Sequence, residues 1–221
     1  MQPPPQLGAE TSPFRRGHAA HITPMKSQTK SHILQTSARL FFEEGLATGI
    51  DRITSECETA KMTIYTHFAS KDGLICAVLH EVQTALLGNI RSHALHSKLP
   101  AQEQLQAAFN IVCHGMSDAE VRAGLVVRAL MEFPRANHPV HRAALDLEHV
   151  IQVCLEPLCA GAHIADSEEA ARHLLLLAKG AYTMSPSVGV EGSRMLAAKL
   201  AGAIIGTTAL SADSSRQGAQ R

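Results

Sequence analysis

Leu74, Val78, Val82, Leu86 and Ile90 recur at every fourth position. Four residues is slightly more than one helical turn, so these side chains form one apolar stripe that must be covered. Similar spacing returns along most of the chain. Ile33, Ser37, Leu40 and Phe41 share one face, as do Ile64 and Phe68, then Ala144, Leu147, Ile151, Cys154 and Leu158, and finally Leu196, Ala197, Leu200, Ala201 and Ile204. Alternating β-branched runs are missing, and Ala and Leu abound. These patterns predict an all-α fold. The 221 residues are 45% hydrophobic, enough for a normal core in one large or two small domains.

Punctuation divides the chain. Residues 1–26 hold Pro3, Pro4, Pro5, Pro13 and Pro24 among small and polar residues, a composition that cannot bury a core and predicts a disordered tail. Helices are expected at about 27–44, stopped by Gly45, then at about 50–58 and 61–68. Ser70 is the expected N-cap of a long helix reaching about residue 96. Beyond Pro100 come a helix at about 102–114, two pieces within about 118–133 hinged near Gly124, and a helix at about 140–159 that Pro157 should kink or end. Another helix opens at Ser167 and should end in a turn at Ser185-Pro186-Ser187. Its Leu174–Leu177 run is apolar nearly all round and is expected to be buried. The last helix, at about 191–210, precedes a polar, frayed tail over 211–221.

Charge and motif content narrow the function. The formal net charge is zero. In the first 80 residues Arg15, Arg16, Lys26, Lys30, Arg39, Arg52, Lys61 and Lys71 oppose Glu10, Glu43, Glu44, Asp51, Glu56, Glu58 and Asp72, a balance of +8 against −7. Any affinity for nucleic acid must therefore come from where cations sit, not from their excess. The five cysteines are scattered without a C-x2-C pair and read as reduced thiols of a cytosolic protein. No apolar run approaches the roughly 18 residues of a membrane span, and no secretory h-region is visible. A cytoplasmic protein without a membrane partner is expected. With no Gly-rich phosphate loop, no H-E-x-x-H and no nucleophile elbow, catalytic residues, a cofactor and enzymatic activity are not expected. Thirteen histidines are many, but their spacing does not force ligands to converge, so no metal site is assigned.

The chemistry concentrates between Thr48 and Leu74. A short helix, a break and a second short helix form a helix-turn-helix pattern, whose second helix enters the major groove. Ile64 and Phe68 would anchor that helix from behind, leaving Lys61, Met62, Thr63, Tyr65 and Thr66 outward. Ile33, Leu34, Ala38, Leu40, Phe41 and Gly45, followed by Thr48, Ile53, Thr63, Ile64, Tyr65, His67, Phe68, Ser70, Lys71 and Leu74, resemble the TetR family of transcriptional regulators. The spacing from Thr48 to Leu74 is preserved without a gap. One departure stands out: Glu58 occupies the place of the usual turn Gly, and a φ above zero there would strain it.

The resemblance implies that Thr48, Tyr65, His67 and Lys71 touch phosphates of a double-stranded DNA operator, while Lys61, Met62, Thr63 and Thr66 face the groove. Lys61 would meet a guanine and the Thr66 methyl a thymine. It further implies a helix-turn-helix domain at 27–73 and a larger effector-binding and dimerisation domain at 74–210. The last two long helices would pair with those of a second copy, with Ala197, Ala198, Ala201, Gly202 and Gly206 allowing close approach. Such a homodimeric repressor would hold a palindrome and release it on binding a small apolar or amphipathic ligand. Phe109, Met131, Phe133, Ile151 and Leu175 are the candidate lining of that ligand site. The alternative is a metal- or redox-responsive DNA-binding sensor using His and Cys residues.

Overall fold

The structure, a computed structural model, describes residues 23–114 and 120–218, with side chains described over 29–113 and 124–206. Among the described residues every regular element is helical: α1 (Thr23–Glu44), α2 (Ile50–Glu56), α3 (Lys61–Phe68), α4 (Lys71–Ile90), a π-helical turn (Arg91–Leu95), α5 (Ala101–His114), α6 (Glu120–Glu132), α7 (Pro139–Gly161), α8 (Ser167–Val188) and α9 (Val190–Gly218). The expected all-α fold is what forms. The part of the expected tail before Thr23 lies outside the described residues. Pro24 falls inside the first turn of α1, where a missing N–H breaks no helical bond.

Helices α1 to α3 close around a small core of their own. Ile33, Leu40, Phe41, Ile53 and Ile64 are fully buried, and Phe68 nearly so. Helix α4 carries this core into the rest of the molecule, burying Leu74, Ile75, Val78, Leu79, Val82 and Ile90. It packs on α1 at one end and along α7 over its length. α8 lies between α7 and α9, α5 packs on α7 and α9, and α6 bridges α1 and α7. Helix α4 with its π-turn, Lys71–Leu95, is long and apolar enough by composition alone to cross a membrane, which corrects the expectation that no such run exists. Its stripe is taken up by α1 and α7 instead.

Helix breaks and burial differ from the sequence expectations at several places. α6 runs unbroken through Gly124, which is small because the Tyr182 ring occupies the place where a Cβ would stand. α8 continues through Pro186 to Val188. Pro186 has no N–H for the Tyr182 carbonyl, and the Ser185 hydroxyl donates to that carbonyl instead, at 2.8 Å. The turn falls at Gly189, with φ +80°. α7 passes through the exposed Pro157 to Gly161, so of the two expected effects Pro157 does not end the helix. Leu174 is buried but Leu176 faces outward, so the Leu174–Leu177 run is not apolar core all round. α9 extends to Gly218, past the expected end at Leu210.

Candidate nucleic-acid interface and effector cavity

Helix α2 begins after Gly49 and ends in a six-residue C-cap. The Thr59 N–H donates to the Thr54 carbonyl at 3.1 Å and the Glu58 N–H to the Ser55 carbonyl at 3.4 Å. This closure places the residue after the cap in the left-handed region, and Glu58 has φ +49°. The strain anticipated for a Glu in the Gly position is therefore present, at a cost of about 1 kcal/mol. Its side chain is exposed.

Helix α3 is held by Ile64 and Phe68 and turns its other faces outward. Met62 is 73% exposed, and Lys61, Tyr65 and Thr66 are exposed beside it; Thr63 and His67 are half-buried. The Thr66 hydroxyl donates back to the Met62 carbonyl at 2.7 Å, which leaves its methyl free to point away from the helix. Lys61 Nζ donates to Asp51 Oδ1 at 2.8 Å, and this bond raises the Lys61 pKa. Asp51 was not among the residues picked out from sequence. No spacing rule links a residue in the first turn of one helix to the first residue of the next.

The turn from α3 to α4 is tightly wound. Across Ala69 (φ +60°, ψ −38°) the Ser70 N–H donates to the Phe68 carbonyl at 2.6 Å. The Ser70 hydroxyl then caps α4 by accepting from the Gly73 N–H at 2.9 Å, as the sequence predicts. A Cβ on Gly73 would fall inside the Phe68 carbonyl oxygen, so only glycine fits this path. The turn delivers Lys71, which is half-buried; burial lowers its pKa, with Asp72 and Glu132 opposing.

Thr48 behaves differently from its expected role. It is buried, and its hydroxyl donates to the Gly45 carbonyl at 2.6 Å. It closes the α1–α2 turn in place of projecting a free donor. The two arginines of the unit are likewise engaged: Arg39 pairs with Glu43 and Glu56, and Arg52 with Glu44 and Glu56. Hydrogen bonds from Arg52 and then Arg39 hold the Glu56 carboxyl below the usual range.

Polar ties link this unit to the helices behind it. The Leu46 N–H donates to Glu132 Oε1 at 3.4 Å, and His138 Nε2 lies 3.4 Å from Asp72 Oδ2. The His138 ring packs against Phe133, centroids 4.6 Å apart, and His141 Nδ1 meets the Phe133 carbonyl at 2.8 Å. Phe133, an expected ligand-lining residue, thus belongs to this junction between α6 and α7.

Behind the junction a cavity of about 40 Å³ lies among α4, α5, α6, α7 and α8. Val82, Leu86, Val112, Leu147, Ile151 and Leu175 line it, with Asn89 and the Glu148–Lys179 ion pair (2.5 Å) as its polar part. Ile151 and Leu175, two of the expected ligand-lining residues, are part of this cavity's wall. Phe109 is fully buried but packs in the core beside the cavity without lining it. Met131 is a correction: it is 72% exposed, because it lies on the solvent side of α6. Among the described residues no three His, Cys, Asp or Glu side chains gather as metal ligands. All five cysteines are free, and burial pushes Cys113 and Cys159 up to about 11, the reverse of an activated thiol.

Two short helices joined by a tight turn, the second anchored from within and open on its outer face, have the form of a helix-turn-helix DNA-binding unit. Residues 33–78 match the family described as "Bacterial regulatory proteins, tetR family". Over 50 residues the chain is 44% identical to an uncharacterised HTH-type transcriptional regulator of Bacillus subtilis (strain 168), YerO; the stretch is 22% of this chain and 17% of that relative's length. The fold is similar to SCO4454, a TetR-family transcriptional regulator from Streptomyces coelicolor, with TM-score 0.68 and 29% identity over 81% of this chain and 93% of that one. A TetR transcriptional regulator from Legionella pneumophila shares the fold with TM-score 0.67 and 20% identity, over 78% and 96% of the two chains. Residues 33–78 thus carry the DNA-binding segment of the TetR family, and the fold over about four-fifths of the chain is similar to that of TetR-family regulators.

Proposed function

We propose that the protein is a homodimeric, cytoplasmic repressor that binds a palindromic operator through α3 and is released by a small apolar or amphipathic effector. The observation that carries this reading is the position of α4. Its first residue, Lys71, stands beside the recognition helix, and three of its later residues, Val82, Leu86 and Asn89, line the cavity. A drug-sized ligand needs a site of roughly 300 Å³ or more. A cavity of about 40 Å³ must therefore open before it can hold one, and in this reading α4 is the wall that moves. The effector has to bind the opened form more tightly, or it shifts nothing.

In this reading Lys61, Met62, Thr63 and Thr66 face the groove, and Tyr65, His67 and Lys71 contact phosphates. Thr48 serves by shaping the turn before α2. The DNA-binding unit spans 27–73 and the effector and dimer domain 74–210. The outer faces of α8 and α9 support the dimer: Leu176, Met184, Met195, Leu196 and Leu200 are exposed large apolar side chains. Ala197 and Ala201 pack inside one chain. Gly202 and Gly206 face outward, where a Cβ would meet nothing within 4 Å, which leaves room for close approach of a second copy. Two recognition helices would then enter half-sites roughly 34–36 Å apart.

Footprinting of the DNA upstream of the gene, with and without candidate ligands, tests the reading. A short palindromic footprint that an effector abolishes is expected. A monomer at micromolar concentration would overturn it. Lys71→Ala should weaken binding to every sequence several-fold and lower the salt slope by about one. An unchanged slope would remove Lys71 from the phosphate contacts.

A further inference from the structure

We propose that Asp51 and Lys61 form one donor–acceptor unit that reads a G·C base pair, with Asp51 as a specificity-determining residue. This rests on the reading above that Lys61 faces the major groove. Lys61 Nζ and Asp51 Oδ1 lie 2.8 Å apart, one on the first residue of α3 and the other in the first turn of α2. Neither is buried: the side chains are 52% and 83% exposed. Both belong to the surface formed by the start of α2 and the outward face of α3.

The major-groove edge of a G·C pair offers two acceptors on guanine, N7 and O6, and beside O6 the amino donor on cytosine N4. O6 and N4 are joined by the pair's own hydrogen bond, so they stand about 2.9 Å apart. The protein presents the complementary pattern at the same spacing. The ammonium has three protons, one of which stays on Asp51, leaving two for guanine. The carboxylate has a second oxygen and free lone pairs for the cytosine amino group. The ion pair need not break on binding DNA, so the lysine enters the groove already oriented.

The carboxylate has a second effect. Residues 29–78 hold five basic side chains (Lys30, Arg39, Arg52, Lys61, Lys71) and six acidic ones (Glu43, Glu44, Asp51, Glu56, Glu58, Asp72). Asp51 neutralises the cation of the recognition helix and repels phosphates wherever its acceptor finds no amino group. It therefore weakens binding to random sequence more than binding to the right one, which is how specificity is gained by penalising the wrong partner.

The test is selection of randomised duplex DNA by the full-length protein and its Asp51→Ala, Asp51→Asn, Lys61→Ala and double variants, with enriched sequences read out. The wild type should enrich a G·C pair at one position of each half-site. Asp51→Ala and Lys61→Ala should each relax that same position, by roughly tenfold in base preference. The double variant should lose little more, and Asp51→Ala should bind random duplex more tightly than the wild type. Because Asp51 is exposed, melting curves of its variants should match the wild type. If Asp51→Ala leaves untouched the position that Lys61→Ala relaxes, or if the enriched pair is A·T, the paired readout is overturned while Lys61 keeps its groove contact. If Lys61→Ala relaxes no position, the groove assignment itself fails and the pair falls with it.

Discussion

Helices α3 and α8 each bury one face and expose another, but their exposed faces differ in kind. α3 is eight residues long, hangs on Ile64 and Phe68, and shows Lys61, Met62, Tyr65 and Thr66. α8 is 22 residues long, buries Ala170, Ala171, Leu174, Ala178 and Ala181, and shows Leu176, Met184 and Val188. On the reading proposed, the first face works by hydrogen-bonding groups at fixed places, so particular residue types are required, while the second needs only apolar area and close approach, which many residues supply. A short motif therefore identifies the first region, whereas the second is read only from its packing.

The largest effect separating the two regions should come from their constrained glycines. In Gly73→Ala the new Cβ meets the backbone carbonyl of Phe68, which cannot move without unwinding the turn before Lys71; in Gly124→Ala it meets the Tyr182 ring, a side chain that can shift. Gly73→Ala should reduce DNA affinity more than tenfold while circular dichroism keeps its helical signal. Gly124→Ala should lower the melting temperature but leave affinity within a few-fold. Equal losses of affinity would mean that the two regions are not separable. Ile151→Phe should then act the other way, filling the cavity at a stability cost of about 1–3 kcal/mol. DNA binding should persist and the effector response disappear; an unaltered response in a binding assay would move the effector elsewhere.

Smaller effects test whether strain is confined to the DNA-binding unit. Glu58 ends α2 with φ +49° and His163 ends α7 with φ +60°, each in a position suited to glycine. Glu58→Gly and His163→Gly should each stabilise the fold by about 1 kcal/mol in urea titration. A gain in only one would show that the other backbone relaxes. The last effect is confined to alkaline pH and belongs to the helices behind the DNA-binding unit. Burial raises the Cys113 and Cys159 thiols from 9.0 to about 11. The folded chain holds those protons where the unfolded chain releases them, so stability is unaffected below pH 9 and falls as pH rises from 9 through 11. Melting temperatures over that range should decline less in a Cys113→Ala, Cys159→Ala double variant.

The readable parts of the sequence were those in which a side chain's role follows from its neighbours along the chain. Ile64 and Phe68 sit one turn apart, and Ser70 caps a helix whose first turn it precedes. Ile151 and Leu175 could be placed near a cavity because both lie on apolar stripes of central helices. Met131 has the same composition argument but the wrong side of its helix. Thr48 stands in the family's phosphate-contact position, yet its hydroxyl is bonded to the Gly45 carbonyl.

Periodicity, caps and the run from Thr48 to Leu74 were enough to determine the all-α class, the position of α3 and the anomaly at Glu58. These depend on local geometry, in which residues three or four apart already share a face. Tertiary structure alone decided that Asp51 holds Lys61, that Glu132 and His138 fasten α6 and α7 to the DNA-binding unit, and that α4 spans from the recognition helix to the cavity. Each of these joins residues on different helices, and the distance between helices is set by how whole faces pack, which no short stretch of sequence encodes.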